Sequence, residues 1–480
     1  MVIDRVGPAP RQISSTQAYQ ERPSLAPLLR PPGPKSRGIV GNFPMGGKNP
    51  LGIFTEWADQ YGDLFYYRVF NRHVYFLNHP NLIKDVLSTN AQNFIKGEAV
   101  RANRRIFGKG LVSNEGASWS QQRRLIQPAF HRLRVESYAN TMVEYTERML
   151  TAWRDGESRD IHEDMMRLTL EIVTMALFSV EIASEGDRVS TSLNTLMKFG
   201  TGGRLLVPEA LRRIPTPGNL RYQRATRELD DVVYGLIRHR QANTTIPNTA
   251  SESRPEDLLD TLLQARYEDG SAMSTQQVRD EVMTLLLAGH ETTAVSLSWI
   301  WLLLSQHPEV EQKLWAELRV VLNGRSPRMH DLASLPYTER IVKEAMRVYP
   351  PIWALGRTAV KDCEIGGYRV PAGSTVVMSQ WVMHHDHRYY DEPERFFPDR
   401  WLDERYKTAP RFSYFPFGGG PRICIGASFA ATEAALVLAT IAQRYQVRLA
   451  SADPVEPMPS ITLRPRNGVN VVLTRRQSDS

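Results

Sequence analysis

Hydrophobic residues recur with the helical period over much of the chain, which is the pattern of amphipathic helices packed on a core. The segments with this pattern are residues 81–87, 119–130, 137–153, 160–179, 220–241, 308–322 and 338–349. Residues 276–305 are apolar almost all round, so we expect a long helix through the middle of the core. The pattern therefore predicts a mainly α-helical protein.

Short strands are predicted where β-branched and aromatic residues become dense. Residues 64–77 (LFYYRVFNRHVYFL) have a polar Asn71-Arg72 centre, which is typical of a β-hairpin. Residues 363–378 and 460–473 also have strand character, and the polar and aromatic stretch 384–416 favours irregular structure. We therefore expect small β-sheets beside the helices.

The chain shows no internal repeat and no linker that would divide it. The polar first 22 residues lack an apolar core pattern, and the Pro-Pro-Gly-Pro run at 31–34 forms a stiff break. Residues 246–255 (IPNTASESRP) favour a surface loop. We predict a loosely ordered segment over residues 1–30 and a single large folded unit, mainly α with small β-sheets, over residues 31–480.

Composition excludes several classes of protein. The 59 Lys and Arg exceed the 52 Asp and Glu by 7, a mild surplus without a basic stripe, so nucleic-acid binding is not expected. Two cysteines cannot support a disulfide scaffold, which indicates a reducing compartment. The longest near-apolar stretch, residues 292–304, is too short to span a bilayer. We expect a cytoplasmic protein without a transmembrane anchor.

The sharpest local signal is the segment FGGGPRICIG at residues 417–426, which leads into a helix-forming stretch. Its glycines and proline allow a tight turn, and Cys424 then stands at the mouth of a helix, where a thiolate is favoured. Such a cysteine is a nucleophile or a metal ligand, although a lone cysteine is more often a small buried hydrophobe. No histidine stands out as the partner that a nucleophilic cysteine needs. His384, His385 and His387 are close together in the sequence and are expected in a solvated loop.

This segment resembles the haem-ligand loop of cytochromes P450, whose pattern is Phe-x-x-Gly-x-Arg-x-Cys-x-Gly. Phe417, Gly420, Arg422, Cys424 and Gly426 fill every fixed position. The resemblance implies that Cys424 is the thiolate ligand of the iron of haem b (iron protoporphyrin IX). It also implies that Phe417 shields the sulfur, that Arg422 pairs with a haem propionate, and that Gly426 belongs to the same cofactor-binding loop.

A second motif, Glu344-Ala-Met-Arg347, lies on the helix predicted at 338–349. The spacing places both side chains on one helix face, which by itself indicates only a surface ion pair. Cytochromes P450 use a Glu–Arg–Arg cluster to lock the core beneath the haem loop. The resemblance therefore implies a structural role for Glu344 and Arg347, with Arg395 of the following DEPERFFPDRW stretch as the third member.

A third motif, AGHETT at residues 288–293, lies inside the long apolar helix. A glycine, an acid and two hydroxyls are costly there unless they serve a site, although threonines can also bond back to the preceding turn. A zinc-protease helix would need histidine at position 294, which is alanine. The resemblance implies that Ala288 and Gly289 make room for oxygen, and that Thr292 and Glu291 stabilise bound oxygen and relay protons.

Three further residues match positions that bind haem propionates in the family. Trp119 and Arg123 fit a Trp-x-x-x-Arg pattern, and Arg357 follows the YPPIWALG stretch. Without the resemblance, Trp119 would be a core residue and Arg123 a solvated one. Two buried carboxylates need several cationic partners, so convergent arginines are chemically expected.

The resemblance implies a monooxygenase that activates O2 and hydroxylates a hydrophobic small molecule. A fatty acid is the first expected substrate, followed by terpenoids and polyketides. The chain has no flavin or iron–sulfur module, so electrons must come from separate proteins, a ferredoxin or flavodoxin with its reductase. Arg123, Arg124, Arg132 and Arg134 would form a basic docking face, or simply a solvated one. We expect a monomer.

The family layout also predicts the walls of the substrate pocket. They would come from the loop before Trp119, from Ala288, from residues 352–355 and from residues 460–462. Two other functions share the ligand loop: a peroxygenase or isomerase of the P450 type, and a non-catalytic haem-binding protein.

Overall fold

A computed structural model of the protein describes residues 30–42, 49–181, 186–199, 214–244, 257–267 and 270–477. The predicted surface loop at 246–255 lies outside the described residues, as does the predicted N-terminal segment except for residue 30.

Helices dominate the described chain. They are α1 (Pro50–Tyr61), α2 (Pro80–Lys84), α3 (Glu98–Ala102), α4 (Arg104–Phe107), α5 (Gly116–Ile126), α6 (Arg132–Thr151), α7 (Ile161–Phe178), α8 (Gly186–Phe199), α9 (Pro217–Thr244), α10 (Leu258–Gln264), α11 (Thr275–Gln306), α12 (Pro308–Leu322), α13 (Pro336–Val348), α14 (Gln380–His384), α15 (Glu404–Thr408) and α16 (Ala427–Arg444). Every segment with helical periodicity overlaps one of these helices, which confirms the prediction of a mainly α-helical protein. The largest difference in a boundary is at α6, which begins at Arg132 instead of residue 137.

The strands form four small sheets. They are β1 (Leu64–Val69), β2 (Arg72–Leu77), β3 (Phe94–Lys96), β4 (Ser158–Asp160), β5 (Leu355–Ala359), β6 (Cys363–Ile365), β7 (Tyr368–Val370), β8 (Thr375–Met378), β9 (Tyr445–Leu449), β10 (Pro457–Pro459), β11 (Leu463–Pro465) and β12 (Asn470–Arg475). The largest sheet has the order β1-β2-β8-β5-β3, and the others are β4-β12-β9, β6-β7 and β10-β11. The predicted hairpin is confirmed, because β1 and β2 pair antiparallel from Leu64 opposite Leu77 to Val69 opposite Arg72.

Helix α11 runs through the core, as its apolar sequence predicts. Trp299 and Trp301 on it are buried, and α7, α13 and α16 pack around it. A Cβ added to Gly289 would lie 2.8 Å from Cγ2 of Val173 on α7. Gly289 therefore permits the close approach of α7 and α11, in addition to lining the cavity described below.

The Glu344 cluster is present, but its third member is not Arg395. Arg347 donates to both carboxylate oxygens of Glu344 at 3.0 and 2.9 Å, and Arg400 donates to Oε1 at 2.7 Å. The Arg395 side chain is instead exposed and pairs with Glu392 at 2.9 Å. Only the backbone of Arg395 takes part, because its carbonyl accepts from Arg347 and Arg400.

The prediction of a solvated histidine loop is wrong for two of the three histidines. His384 is fully buried, and its Nε2 accepts a hydrogen bond from the Phe415 amide at 3.0 Å. His385 is buried too, and burial lowers its pKa to about 3. Only His387 is exposed. His384, the last residue of α14, packs against Tyr414 and Phe415 before the cysteine loop, whereas His385 packs on Trp381, so both act as packing groups.

Candidate functional site

The loop before α16 is a tight turn that depends on glycine. Gly420 has a φ of +65°, and a Cβ there would lie 1.7 Å from the Leu87 carbonyl oxygen, so only glycine fits. After this turn the Cys424 amide donates to the Phe417 carbonyl at 3.0 Å. Helix α16 begins at Ala427, and the loop thus holds Cys424 just before the N-terminus of a buried helix.

The Cys424 side chain faces an internal cavity. Protein surrounds Cys424 almost completely. The surface that its side chain exposes is part of the cavity wall. Burial raises the pKa of the thiol, while the Gly426 amide and Arg123 act in the opposite direction. The positive charge that acts on the sulfur is thus that of Arg123. A bound metal ion would favour the thiolate form of Cys424.

The cavity has a volume of about 350 Å³ and brings together most of the predicted site. The predicted residues that line it are Trp119, Arg123, Ala288, Thr292, Arg357, Phe417, Arg422, Cys424 and Gly426. Glu291 is the one member of the predicted set that is not among the described lining residues.

Cationic side chains converge on the Trp119 ring at one end of the cavity. The guanidinium of Arg422 lies 5.3 Å from the ring centre and that of Arg123 lies 5.7 Å from it. Arg357 from β5 is buried nearby, where burial and the charge of Arg422 lower its pKa to about 10. Arg422 also donates to Glu115 at 2.8 Å.

Lys96 is a fourth cation that the sequence argument missed. Its Nζ lies 5.3 Å from the Trp119 ring centre and donates to the carbonyls of Leu111 and Asn114, each at 2.7 Å. Burial lowers its pKa to about 7. A lysine that ends the short apolar strand β3 directly before a glycine was the available signal, and it is weak, because most such lysines point to solvent.

This end of the cavity has more positive charge than the acids of the described residues neutralise. Four cations meet there, and the acids acting on them are Glu115 and Glu281, the latter with its pKa raised to about 7 by burial. Nε of Arg422 is buried without a hydrogen-bond partner in the described chain. Buried cations of this kind need an anion, and the two propionates of a haem whose iron lies at Cys424 fit that requirement.

The acid and hydroxyl of the AGHETT motif point in different directions. Thr292 lines the cavity, and its hydroxyl donates to the Ala288 carbonyl at 2.7 Å. Glu291 is buried on another side of α11, where it accepts from Arg464 at 2.6 Å and from Thr462 at 2.5 Å. The structure therefore brings Thr292 to the site and keeps the Glu291 carboxylate in an ion pair behind it.

The predicted pocket walls are reproduced in part. Leu111 and Val112 before Trp119 line the cavity, as do Ile352 and Leu355. Residues 460–462 are not among the described lining residues, because the β10–β11 turn packs behind α11. There the hydroxyl of Thr462 donates a hydrogen bond to the Glu291 carboxylate.

The predicted basic docking face loses one member. Arg123 faces the cavity and donates to the Ile423 carbonyl at 3.0 Å, so it does not belong to the outer surface. Arg124, Arg132 and Arg134 are exposed, as that prediction requires.

Two alternative kinds of site are not supported within the described residues. No group of three or more His, Cys, Asp and Glu side chains is arranged to hold a metal ion. Within the same residues, no helix is long and apolar enough to span a membrane.

Comparison with known proteins agrees with this geometry. Residues 31–471 match the family model described as "Cytochrome P450". The chain is 37% identical over 428 residues to cyclooctatin synthase of Streptomyces melanosporofaciens, covering 88% of this chain and 91% of that protein. It is 35% identical over 450 residues to cyclooctat-9-en-7-ol 5-monooxygenase of the same organism, with 93% and 94% covered. It is 36% identical over 440 residues to pentalenene oxygenase of Streptomyces avermitilis, with 91% and 96% covered.

Proposed function

The chain belongs to the cytochrome P450 family. From this premise we propose that its cavity binds haem b and that the protein hydroxylates a neutral terpenoid. As a P450 monooxygenase it uses a haem-thiolate iron, O2 and electrons from a transfer partner. When bound, the haem supplies the activation of O2. The rest of the proposal concerns what the residues of this chain do around it.

Cys424 holds the iron from the α16 side of the cavity. The thiol has a raised pKa without a metal, so it binds as a thiolate with release of its proton. Phe417 covers the sulfur, and Gly426 keeps the loop close to the cofactor. Lys96, Trp119, Arg123, Arg357 and Arg422 hold the propionates.

Helix α11 forms the opposite wall. Ala288 and Gly289 keep this wall thin, and the Thr292 hydroxyl, which donates to the Ala288 carbonyl, would be the donor on this wall for the O2 that the haem activates. Glu291 is the proposed proton carrier from the protein interior. Because its carboxylate is paired with Arg464, it must rotate away from that partner in order to serve Thr292.

The lining of the cavity favours an uncharged substrate. Beyond the Trp119 end, the wall includes Val100, Leu111, Val112, Leu177 and Leu285. All cations among the described lining residues lie in the cluster assigned to the propionates, so a fatty acid carboxylate has no counter-ion. Two of the three relatives are named for the oxygenation of terpenoids, one as a monooxygenase of cyclooctat-9-en-7-ol and the other as an oxygenase of pentalenene. We therefore place terpenoids ahead of fatty acids, the reverse of the order expected from the sequence.

Electrons are proposed to come from a ferredoxin or flavodoxin with its reductase. An acidic protein of this kind would dock on the exposed arginines Arg124, Arg132 and Arg134. Weaker reduction at high salt, and in a variant with these three residues changed to glutamine, is the expected behaviour.

The observation that carries the proposal is that one apolar cavity joins the Cys424 thiol to a cluster of buried cations with too few acids. The first test is the carbon-monoxide spectrum of the reduced protein in the wild type and in Cys424→Ser. We expect the red-shifted Soret band of a thiolate complex only in the wild type. The same band in the variant would refute the ligand assignment.

The second test compares ligands of matched size. A cyclic sesquiterpene hydrocarbon should shift the haem from low to high spin, and a fatty acid of the same carbon number should do so much less. Mass spectrometry should then find the terpene with one added oxygen only when electrons are supplied. Product formed with peroxide but not with electrons and O2 would favour a peroxygenase, and haem binding without any spin shift would favour a carrier.

A further inference from the structure

The cavity wall contains a buried amide that the haem site described above does not use. Gln380 is the first residue of α14, and its side chain is fully buried and lines the cavity. Neither its Nε2 nor its Oε1 has a hydrogen-bond partner in the described chain. A primary amide has two donor hydrogens and one acceptor oxygen, and a buried polar group without a partner keeps the full cost of its desolvation. A ligand in the cavity that bonds to this amide is therefore favoured.

Gln380 belongs to a different part of the wall from the cations at Trp119. Arg357 of β5 lies opposite Val376 of β8. Gln380 follows Val376 by four residues, and the intervening Ser379 is still extended. At about 3.3 Å per residue, the backbone of Gln380 lies roughly 13 Å along the sheet from the level of Arg357. This separates the amide from the cations assigned to the propionates.

The backbone around Gln380 is fixed against the segment that leads into β5. The Ser379 hydroxyl and the Trp381 amide, on either side of Gln380, both donate to the Trp353 carbonyl, at 2.7 and 3.1 Å. Ile352 of the same segment lines the cavity with an apolar side chain. The Gln380 amide is thus a polar group held in place beside an apolar part of the wall.

The other unpartnered polar groups among the described lining residues are of a different kind. The hydroxyls of Thr284 and Thr293 stand within α11, where a threonine can turn to donate to a carbonyl of the preceding turn. Nε of Arg422 belongs to the cation cluster at Trp119. Gln380 is the first residue of its helix and has no preceding helical turn to bond, so its partner has to come from elsewhere.

A hydroxyl group is the chemical complement of an amide. It donates to the amide oxygen and accepts from the amide N–H, whereas a ketone or an ether only accepts and a hydrocarbon does neither. A carboxylate only accepts as well, and its charge would have no counter-ion among the described lining residues outside the cation cluster. An alcohol is therefore the neutral ligand that uses both ends of the Gln380 amide.

We propose that Gln380 is a specificity-determining residue that binds a hydroxyl group of the substrate, so that the substrate class is a terpenoid alcohol and the product is a diol. The inference rests on the proposed function and names the substrate class of the same site. The hydroxyl at Gln380 fixes the orientation of an otherwise apolar molecule, so that one carbon is presented for hydroxylation. The enzyme would then act after a reaction that installs a hydroxyl group on the terpenoid.

Equilibrium dialysis with the haem-loaded protein tests the contact without turnover. The probes are a cyclic sesquiterpene hydrocarbon, alcohols of the same skeleton that differ in the position of the hydroxyl group, and the methyl ether of each alcohol. We expect at least one alcohol to bind about tenfold tighter than the hydrocarbon, because it gains hydrogen bonds to a buried amide. Its methyl ether cannot donate and should lose most of this advantage. If no alcohol binds tighter than the hydrocarbon, the proposal is wrong.

The variant Gln380→Met keeps the length of the side chain and removes the amide. The preference for the alcohol should vanish in it, and the hydrocarbon should bind at least as tightly as in the wild type, because it no longer covers an unpaired amide. Met346→Leu changes another lining residue, one without an N or O atom in its side chain, and should keep the preference. A preference that survives in Gln380→Met, or that Met346→Leu removes equally, would contradict the assignment.

Two other roles of the amide give different results. If Gln380 serves the haem, Gln380→Met should release haem faster and change the affinities for alcohol and hydrocarbon by the same factor. If the amide only holds a water molecule, the wild type should bind alcohol and hydrocarbon equally well. Either result would overturn the proposal.

Product analysis distinguishes this inference from the proposed function. The wild type should convert the preferred alcohol mainly to one diol, and Gln380→Met should give a mixture of diols. An alcohol preference that depends on Gln380 but yields no diol would refute the proposed hydroxylation and support this contact. Hydroxylation of the hydrocarbon without any alcohol preference would refute only this inference.

A second variant keeps the test available if Gln380→Met does not bind haem. Gln380→Asn retains an amide but shortens the side chain by one methylene, so it should bind the preferred alcohol more weakly and the hydrocarbon about as well as the wild type does. An unchanged alcohol preference in Gln380→Asn would count against the contact.

Discussion

Two buried charged clusters lie near the cysteine loop, and the described residues balance the charges of only one of them. In the first, Glu344 accepts from Arg347 and Arg400, and the remaining N–H groups of Arg347 reach the carbonyls of His384, Pro393 and Arg395. In the second, Lys96, Arg123 and Arg422 lie at the Trp119 ring with Arg357 nearby, and among the described residues only Arg422 of these four makes an ion pair, with Glu115.

The comparison shows how a structural cluster differs from a binding site. A buried ion network whose hydrogen bonds are complete needs nothing more and stabilises one arrangement of the chain. A buried cluster with surplus charge and an unpartnered Nε on Arg422 is incomplete until an anion enters. The surplus beside Trp119 therefore indicates a ligand, whereas the Glu344 cluster indicates architecture.

The largest expected effect is on the balanced cluster. Glu344→Gln leaves two buried arginines without their counter-ion, which should lower the free energy of unfolding by about 3–5 kcal/mol. Urea denaturation measures this change. Arg395→Ala is the matched control, because its side chain is exposed, and it should change the free energy of unfolding by no more than about 0.5 kcal/mol.

The opposite result would contradict the assignment of Arg400 as the third member of the Glu344 cluster. If Arg395→Ala destabilised the protein as much as Arg400→Ala, the third member of the cluster would be Arg395 after all. Arg400→Ala should instead resemble Glu344→Gln, because its Nε lies 2.7 Å from the Glu344 carboxylate.

A smaller effect is expected from the unbalanced cluster, and it should appear in cofactor retention more than in folding. Arg357→Met removes one charge-assisted hydrogen bond to a propionate, a loss of about 1.5–3 kcal/mol, so haem should leave about tenfold faster or more. Transfer of haem to apomyoglobin measures this rate. Arg388→Met, whose guanidinium pairs with Asp386 outside the cavity, should leave it unchanged.

A gradual effect, of at most about 1.4 kcal/mol for each pH unit, is a pH dependence of the cofactor-free protein. The pKa of Lys96 is about 7 in the fold against 10.5 for a free lysine, so the unfolded chain binds more protons between these values. Stability should therefore rise with pH in that window, by at most about 1.4 kcal/mol per pH unit. In Lys96→Met this contribution to the slope should vanish.

Haem should abolish the same slope, because propionates beside Lys96 raise its pKa towards the ordinary value. Thermal melts of cofactor-free and loaded protein across this range measure the difference. Identical slopes in wild type and Lys96→Met without haem would show that folding does not lower the pKa of Lys96.

Local patterns were sufficient for much of the architecture. The stretch that is apolar almost all round located α11 to within one residue at each end, because most positions along it are buried. The cysteine loop was equally clear, since the turn needs glycine at position 420 and Cys424 lies four residues further on. Both are properties of a short stretch of chain.

The errors share the opposite property, because each concerns a residue whose partner is distant in sequence. Arg395 and Arg400 both follow the same helix in arginine-rich surroundings, and only the path of the chain brings Arg400 to Glu344, 56 positions away. His384 was expected in a solvated loop because the segment is polar, yet its ring is enclosed and meets the Phe415 amide.

The amino-acid order alone thus determined the helical class, the hairpin and the identity of the cysteine that faces the cavity. The tertiary structure decided which charges meet: it added Lys96 to the cluster at Trp119, placed Arg400 on Glu344 and turned Glu291 towards Arg464. The reason is physical. Periodicity and turn chemistry act over a few residues, whereas Coulomb interactions and desolvation depend on distances that only the folded chain defines.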